Sequence, residues 1–166
     1  MHKQIFFVKL AAECMKFCLH VFFSEETEPP PVTAPRNVTA FSAYALGSTS
    51  YAPDATLVFE NVVTNVGGGY NSATGEFTCP VGGAYVFSLS IIHETEQLIA
   101  DIQSEGVTYG TAYCFFSDAY DQGAVTVVME CDEGQVVSAI NAGVSSGTLF
   151  GGSNRLGSMF TGYLLS

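Results

Sequence analysis

Basic residues are almost absent from most of this chain. After Arg36 the sequence contains one arginine, Arg155, and no lysine, against twelve aspartates and glutamates, so residues 37–166 carry a formal charge of −11. Nucleic acids and anionic membranes are bound chiefly through Lys and Arg side chains. We therefore expect no nucleic acid partner and no anionic membrane partner, and we favour divalent cations or basic partners.

Histidine is scarce as well, which counts against two kinds of catalytic or metal site. The three histidines, His2, His20 and His93, are too scattered for a structural zinc set. Residues 143–147 match the G-x-S-x-G pattern of a nucleophile elbow, but an elbow needs a following helix and a downstream histidine. Residues 148–152 are not helical in pattern, and no histidine follows. We expect a loop between two strands at 143–147 and no enzyme.

His93 lies at the end of an apolar run. Its position predicts a polar residue at the end of a strand. The alternative role is that of a pH-sensitive interface residue, because histidine is the side chain that changes charge near neutral pH.

Residues 1–32 differ in composition from the rest and are expected to form a separate segment. A polar run ends in Pro29-Pro30-Pro31, which predicts an extended linker before a domain at 33–166. Apolar residues before it recur at spacings of three and four, which predicts a short amphipathic helix. The alternatives are an imperfect secretory signal or anchor, and a dispensable start. Charges at 9, 13 and 16 interrupt the apolar stretches, so we expect no membrane span.

Apolar residues alternate with polar or small residues after residue 32, and no long helical period appears. Phe77, Cys79 and Val81 form one such stripe, and residues 85–91 form another. This pattern predicts antiparallel β structure facing a core. We place nine strands at 38–45, 56–66, 77–79, 84–92, 97–103, 107–116, 122–131, 135–142 and 157–166.

Glycine-rich turns separate these short runs. Glu105-Gly106 and Glu133-Gly134 are expected to close hairpins. Many short strands with such turns imply a β-sandwich, although composition alone does not define its topology.

A family resemblance rests on the order of residues from Phe59 to Phe87. The motif residues are Phe59, Asn65, Tyr70, Phe77, Gly83, Tyr85 and Phe87. Their spacing resembles the central motif of the globular C1q domain, and Leu89 alone departs from it, standing where the family usually has Phe or Tyr. Residues 38–43 and 160–165 resemble the first and last strands of the family. The resemblance covers about residues 33–166.

This resemblance implies an all-β fold, a ten-stranded jelly-roll β-sandwich like that of tumour necrosis factor, assembled as a homotrimer. It implies a secreted, extracellular, non-enzymatic recognition protein that binds carbohydrate, microbial-surface or protein ligands in innate immunity. The alternative on the same fold is a trimeric signalling ligand or a structural protein of the extracellular matrix. The chain has no Gly-X-Y repeat, so a collagen triple helix does not assemble the trimer.

Large aromatic side chains are the residues that such a trimer must bury, either within one protomer or between protomers. The sequence does not distinguish the two. These residues are Phe59, Tyr70, Phe77, Tyr85, Phe87 and Phe160.

Acidic residues near two predicted turns are candidate calcium ligands. They are Asp118 and Asp121 at one turn, and Asp132 and Glu133 at the other. Several members of the resembled family bind calcium, which takes six to eight oxygen ligands. No Asp-x-Asp-x-Asp-Gly loop supplies these ligands from one segment, so solvated hairpin tips are the alternative interpretation.

The odd number of cysteines, five, leaves at least one unpaired or shared between chains. Cys79 and Cys131 are in phase with core-facing residues, and we expect both to be buried free thiols. Cys114 resembles the second cysteine of a disulfide in some family members, but residues 98–99 offer it no partner.

Three residues near the start of the chain matter only if they reach an oxidising compartment. Cys14 and Cys18 would there be able to cross-link protomers if residues 1–32 are retained. Asn37 begins an Asn-Val-Thr sequon and would be a glycan acceptor in the same compartment.

Overall fold

The computed structural model describes residues 38–93, 97–115, 120–152 and 157–165, and these residues form twelve β-strands and no helix. The strands are β1 (Ala40–Tyr44), β2 (Ser48–Tyr51), β3 (Asn61–Val66), β4 (Tyr70–Asn71), β5 (Glu76–Thr78), β6 (Gly83–His93), β7 (Leu98–Ser104), β8 (Val107–Cys114), β9 (Asp121–Cys131), β10 (Val136–Asn141), β11 (Gly147–Phe150) and β12 (Met159–Leu164). Residues Met1–Arg36 group as a separate unit. They lie outside the described residues, so the predicted N-terminal helix, linker and boundary at residue 33 stay predictions.

Ten of the twelve strands form two five-stranded sheets. Sheet I has the strand order β3-β1-β12-β6-β9, and sheet II has the order β4-β5-β10-β7-β8. Every pairing within them is antiparallel. Neighbours such as β1 and β12 are distant in sequence, as in jelly rolls, where the chain crosses repeatedly between the two sheets. The predicted ten-stranded jelly-roll β-sandwich is confirmed.

Among the described strands, β2 and β11 pair only with each other, and neither was predicted from the sequence. The side chains of β2 are mostly exposed, so its sequence shows no alternation of apolar and polar residues. Residues 143–146 form a loop between β10 and β11, as expected. A strand rather than a helix follows this loop, so the geometry of a nucleophile elbow is absent at this site.

One of the two predicted hairpin turns is confirmed, because Glu105-Gly106 joins the paired strands β7 and β8. The prediction for Glu133-Gly134 was wrong in part, since this turn joins β9 of sheet I to β10 of sheet II, and these strands do not pair with each other. Glu105 and Gly106 join β7 to β8 with φ angles of 49° and 76°. Two consecutive positive φ angles suit a tight hairpin because they match the right-handed twist of the strands. Gly134, with φ of 85°, lies in the turn from β9 to β10, where Gln135 N donates to Asp132 O at 3.0 Å.

The core between the two sheets is a cluster of aromatic rings. Phe41 stacks on Tyr70 with ring centroids 4.7 Å apart and meets Phe160 edge-on at 5.0 Å. Phe77 and Phe87 meet edge-on at 5.6 Å. Pairs of this kind contribute about 0.5–1.5 kcal/mol beyond the burial of their area. The aromatics singled out from the sequence are buried within the protomer, namely Phe59, Tyr70, Phe77, Tyr85, Phe87 and Phe160.

Cys79 and Cys131 form a disulfide, so the prediction of two free thiols was wrong. Their burial was predicted correctly, since both side chains are inaccessible to solvent. The two residues are 52 positions apart and meet because Cys79 hydrogen-bonds the turn after β9, accepting from Gly134 N and donating to Gln135 O, each at 2.9 Å. This approach depends on the tertiary structure, so the spacing of the two cysteines in the sequence does not predict it. The disulfide links sheet II to sheet I.

Candidate functional site

Two polar residues of the C1q-like motif form hydrogen bonds with the backbone of the domain. The Tyr70 hydroxyl accepts from Phe59 N at 3.2 Å and donates to Phe59 O at 3.1 Å. The Asn65 amide pairs with both backbone groups of Tyr70, at 2.9 and 3.1 Å. Burial raises the pKa of Tyr70 to about 12, so the phenol keeps the proton that it donates to Phe59 at neutral pH. These motif residues are structural, and function must lie on other surfaces.

Three adjacent rows on the outer face of sheet I carry no charged side chain, and we call these rows the flat face. Glu130, opposite Ala84, lies one row beyond them. Side chains opposite each other on paired strands share a face, so the strand register defines three rows across the sheet. The first row is Val66, Ala40, Tyr163, Val86 and Val128; the second is Thr64, Ser42, Thr161, Ser88 and Thr126; the third is Tyr44, Met159, Ser90 and Ala124. None of these side chains is charged, although the chain as a whole carries −11.

The middle row of the flat face consists entirely of hydroxyl side chains. Ser88 Oγ and Thr126 Oγ1 lie 2.8 Å apart and hydrogen-bond each other. Hydroxyls both donate and accept, so such a row can pair with another polar surface without a net charge on either side. A row of small, uncharged side chains is suited to close contact with another protein surface.

A second unusual surface lies along β8, the end strand of sheet II, and we call it the aromatic edge. It consists of Tyr109, Tyr113 and Phe115, which are 40%, 52% and 59% exposed. The rings of Tyr113 and Phe115 stack, with centroids 5.7 Å apart and planes 6° from parallel. Exposed large aromatics are unusual on a monomer and are enriched in the buried centres of protein interfaces.

Glycines bring the aromatic edge close to the neighbouring edge of sheet I. A Cβ on Gly110 of β8 would lie 2.5 Å from the Val127 side chain of β9. A Cβ on Gly123 of β9 would overlap the backbone carbonyl of Tyr113. Only glycine permits the two end strands to approach this closely, and the approach fixes where the aromatic edge lies.

The acidic candidates do not converge on one site. Asp121 begins β9, and Asp132 and Glu133 follow the end of that eleven-residue strand. At about 3.3 Å per residue, the two ends of this strand lie roughly 33 Å apart. Asp118 lies outside the described residues. Within the described residues no group of three or more His, Cys, Asp or Glu side chains could hold a metal ion. Calcium binding stays a prediction for each turn separately.

Asp121 already has backbone partners. Its carboxylate accepts from Phe115 N at 3.0 Å and from Gln122 N at 2.9 Å. These bonds tie the start of β9 to the end of β8. They give Asp121 a structural role beside the aromatic edge.

His93 is the last residue of β6, as expected, and its side chain is fully buried. Its Nε2 lies 2.9 Å from Phe115 O, while Nδ1 has no hydrogen-bond partner. A side chain buried inside the protomer cannot touch another protomer directly. The role of His93 as an interface residue therefore has no geometric support, and its effect on pH dependence stays a prediction.

Cys114 is the free cysteine of the described residues and is buried. Its Sγ donates to Ile91 O at 3.4 Å. Burial raises the pKa of the Cys114 thiol to about 11, with a smaller contribution from the nearby Asp121 carboxylate. Because the thiolate is the reactive form, this cysteine is inert at neutral pH.

Two further expectations concern the glycosylation of Asn37 and the absence of a membrane span. Asn37 lies outside the described residues, so its glycosylation stays a prediction, and Thr39 of the same sequon is buried. No helix in the described part of the chain is long and apolar enough to cross a membrane.

Sequence comparison identifies relatives of the whole sandwich. The family model of the C1q domain matches residues 40–165. The mouse "Complement C1q and tumor necrosis factor-related protein 9" is 30% identical over 129 residues, an alignment that covers 75% of this chain and 38% of that protein. The human "Complement C1q tumor necrosis factor-related protein 5" is 35% identical over 79 residues, covering 47% of this chain and 32% of that protein. The chain thus spans well under half the length of both relatives.

Solved structures show the same fold. The globular domain of the zebrafish complement 1qA protein superimposes with a TM-score of 0.64 and 20% identity, covering 77% of this chain and 98% of that one. Eiger TNF from S. frugiperda superimposes with a TM-score of 0.63 and 11% identity, covering 79% and 94%. These likenesses place the sandwich among C1q and tumour necrosis factor folds.

Proposed function

Because this chain belongs to the C1q domain family, we propose that it is a secreted, non-enzymatic recognition protein of innate immunity. It acts as a homotrimer and binds carbohydrate, microbial-surface or protein ligands. The observation that carries this proposal is the pair of unlike surfaces, the flat face and the aromatic edge, on a chain that is otherwise strongly acidic.

Two different surfaces on one chain favour a ring over a symmetric pair. If the aromatic edge of one protomer packs on the flat face of the next, the contact is heterologous, and such contacts close into a ring when the rotation allows. A ring of three buries both surfaces on every protomer. The three rows contain no carboxylate, so they add no charge repulsion between the acidic protomers at this interface.

The disulfide supports the extracellular part of the proposal. Structural disulfides persist in oxidising compartments and are rare in the cytosol. The Cys79–Cys131 bond lies in the core and links the two sheets.

The lack of basic side chains in the described residues limits the classes of ligand that they can bind. The described residues contain neither lysine nor arginine. Phosphate, sulfate and sialic acid groups are bound mainly by those side chains, so ligands carrying them are disfavoured. Neutral saccharides and basic peptides remain as the ligand classes that suit this surface.

The assembly is tested by light scattering on the full chain. We expect a trimer for the wild type, and dissociation towards monomer for Thr126→Arg, because a charge in the middle row of the flat face would be buried without a partner. Thr49→Arg is the matched control, since Thr49 is exposed on β2, a strand that belongs to neither sheet I nor sheet II.

Measuring the assembly with calcium and with chelator distinguishes two explanations of how the trimer forms. A trimer in both calcium and chelator places its determinants in the flat face and the aromatic edge. A trimer only with calcium would instead make the acidic turns its determinants. A wild type that is monomeric in both conditions would overturn the proposed assembly.

Recognition is tested by retention of the full chain on immobilised neutral polysaccharides. We expect saturable binding that soluble saccharide displaces, and weaker binding to sulfated or sialylated polymers, because the surface is acidic. No binding across a broad neutral panel would count against carbohydrate recognition. It would favour the alternative of a tumour necrosis factor-like signalling ligand or a matrix protein.

A further inference from the structure

A cleft lies between two turns that each border a strand of sheet II, and we call it the turn cleft. One wall is the turn joining β7 to β8, and the other is the turn joining β9 to β10. The cleft measures about 280 Å³, just below the range of about 300–1,000 Å³ that is usual for pockets of drug-sized ligands. Its size suits one small polar ring rather than an extended chain. The side chains that line it include Gln103, Ser104, Glu105, Gln135, Val136 and Ser138.

Hydrogen bonds join the two walls of the turn cleft and also brace the β9–β10 turn. Gln135 Nε2 donates to Ser104 Oγ at 2.8 Å, and Gln135 Oε1 accepts from Asp132 N at 2.9 Å. Ser104 Oγ in turn donates to Val136 O at 2.7 Å. A site held in place by its own hydrogen bonds loses little entropy when a ligand binds.

The Gln103 side chain is oriented by a second network beside the cleft. Its Nε2 donates to Thr108 Oγ1 at 3.0 Å and to Asp101 Oδ2 at 3.4 Å. Asp101 also accepts from Thr108 Oγ1 at 2.8 Å and from Thr111 Oγ1 at 2.6 Å. The amide nitrogen of Gln103 is therefore committed to this network. Its amide oxygen is left as an acceptor.

Three polar groups of the lining side chains take no part in these two networks. They are Gln103 Oε1, the Glu105 carboxylate and Ser138 Oγ. Two of them only accept hydrogen bonds, and the hydroxyl can do so as well. A ligand that fits must therefore supply several closely spaced donors.

Charge and apolar contact distinguish between the ligands that could supply those donors. A metal ion fits poorly, because Glu105 is the one carboxylate among the lining residues. Anionic ligands are disfavoured for lack of any lysine or arginine in the described residues. Neighbouring hydroxyls on a neutral sugar provide two or more donors at short spacing. Val136, which is partly exposed, offers an apolar contact for the C–H groups of the ring.

We propose that the turn cleft binds one neutral sugar residue through adjacent hydroxyls, with Glu105, Gln103 and Ser138 as acceptors. This inference rests on the proposed carbohydrate recognition and locates it on the molecule. It places the saccharide site on sheet II, away from the flat face of sheet I. A homotrimer would then present three such clefts, whose combined binding exceeds that of one.

The test compares cleft variants of the full chain on immobilised mannan, dextran and galactan, with the free methyl glycosides as competitors. Glu105→Gln and Ser138→Ala are expected to weaken binding, Glu105→Gln by about tenfold or more, because hydrogen bonds to a charged acceptor are the stronger ones. Glu133→Gln is the matched control, since it removes the same charge from the opposite turn without lining the cleft. Unchanged unfolding temperatures would show that each variant is folded.

Each outcome of this test supports or overturns either the turn cleft as the site or carbohydrate recognition itself. Loss of binding in both cleft variants with retention in Glu133→Gln supports the inference. Equal binding by wild type and all variants overturns the turn cleft as the site but leaves carbohydrate recognition standing. If the wild type binds none of the three polymers, the carbohydrate part of the proposed function fails together with the turn cleft as its site. Binding confined to a cationic polymer such as chitosan would overturn the assignment to a neutral sugar.

Discussion

Replacing Tyr85 with alanine is expected to lower the free energy of unfolding by about 3–5 kcal/mol, as other truncations of buried aromatics do. The Tyr85 ring is completely buried between the two sheets. It meets Phe77 edge-on at 5.8 Å and stacks on Phe87 at 5.8 Å. Removing it deletes both contacts and leaves a cavity that rigid sheets cannot close.

Tyr85→Phe is the matched control for this prediction. It keeps the ring and removes only the hydroxyl, which donates to Val81 O at 2.8 Å. We expect a loss of about 1 kcal/mol, the usual net value of one hydrogen bond. Urea unfolding at one fixed protein concentration measures both variants, since the stability of an oligomer depends on concentration. An alanine variant as stable as the wild type would contradict the placement of Tyr85 in the core.

Removing the Cys79–Cys131 disulfide is expected to be comparably destabilising. For a closed loop of 52 residues the chain-entropy relation gives about 4 kcal/mol at 25 °C. The cross-link restricts the unfolded chain more than the folded one, because in the folded state the two strand ends already meet. The double variant Cys79→Ala with Cys131→Ala should therefore unfold at a lower urea concentration than the wild type.

Reduction and a third cysteine provide the controls. Dithiothreitol should destabilise the wild type by a similar amount and leave the double variant unchanged. Cys114→Ala should cost less, since Cys114 closes no loop in the described residues. Equal stability of wild type and double variant, with no effect of reductant, would show that the bond does not form in solution.

The two experiments concern different links between the sheets. The aromatic cluster holds sheet I against sheet II through packing, and the disulfide does so through a covalent bond at one end. Losses at the two sites should add if the sites are independent. Tyr85 and Cys131 both lie near the β6–β9 pairing, so a departure from additivity would measure their coupling.

Local patterns in the sequence predicted most of the sandwich. Each of the nine predicted strands overlaps an observed one, because a half-buried strand alternates apolar and polar residues along its own length. The turns at Glu105-Gly106 and at Glu133-Gly134 were predictable for a related reason, since positive φ angles favour glycine. Only the first of them closes a hairpin. Strands that lack this local signal were missed, including the exposed β2 and the two-residue β4.

The candidate surfaces were much harder to predict from the sequence than the strands were. Ser42, Ser88, Thr126 and Thr161 come from four strands spread over the whole domain and look like ordinary polar strand residues. They form a row only because the register of sheet I sets them opposite one another. The turn cleft likewise depends on two turns that border the paired strands β7 and β10 of sheet II but lie about 30 residues apart in the sequence.

The sequence by itself determined the family, the all-β class, the acidic surface and the burial of the large aromatics, because each follows from residue type and short spacing. Only the tertiary structure decided that Cys79 pairs with Cys131, that those aromatics lie within one protomer, and that uncharged side chains gather on one face. Each of these depends on which distant strands become neighbours. Strand neighbours are selected by the packing of the entire core, and no local stretch of sequence carries that information.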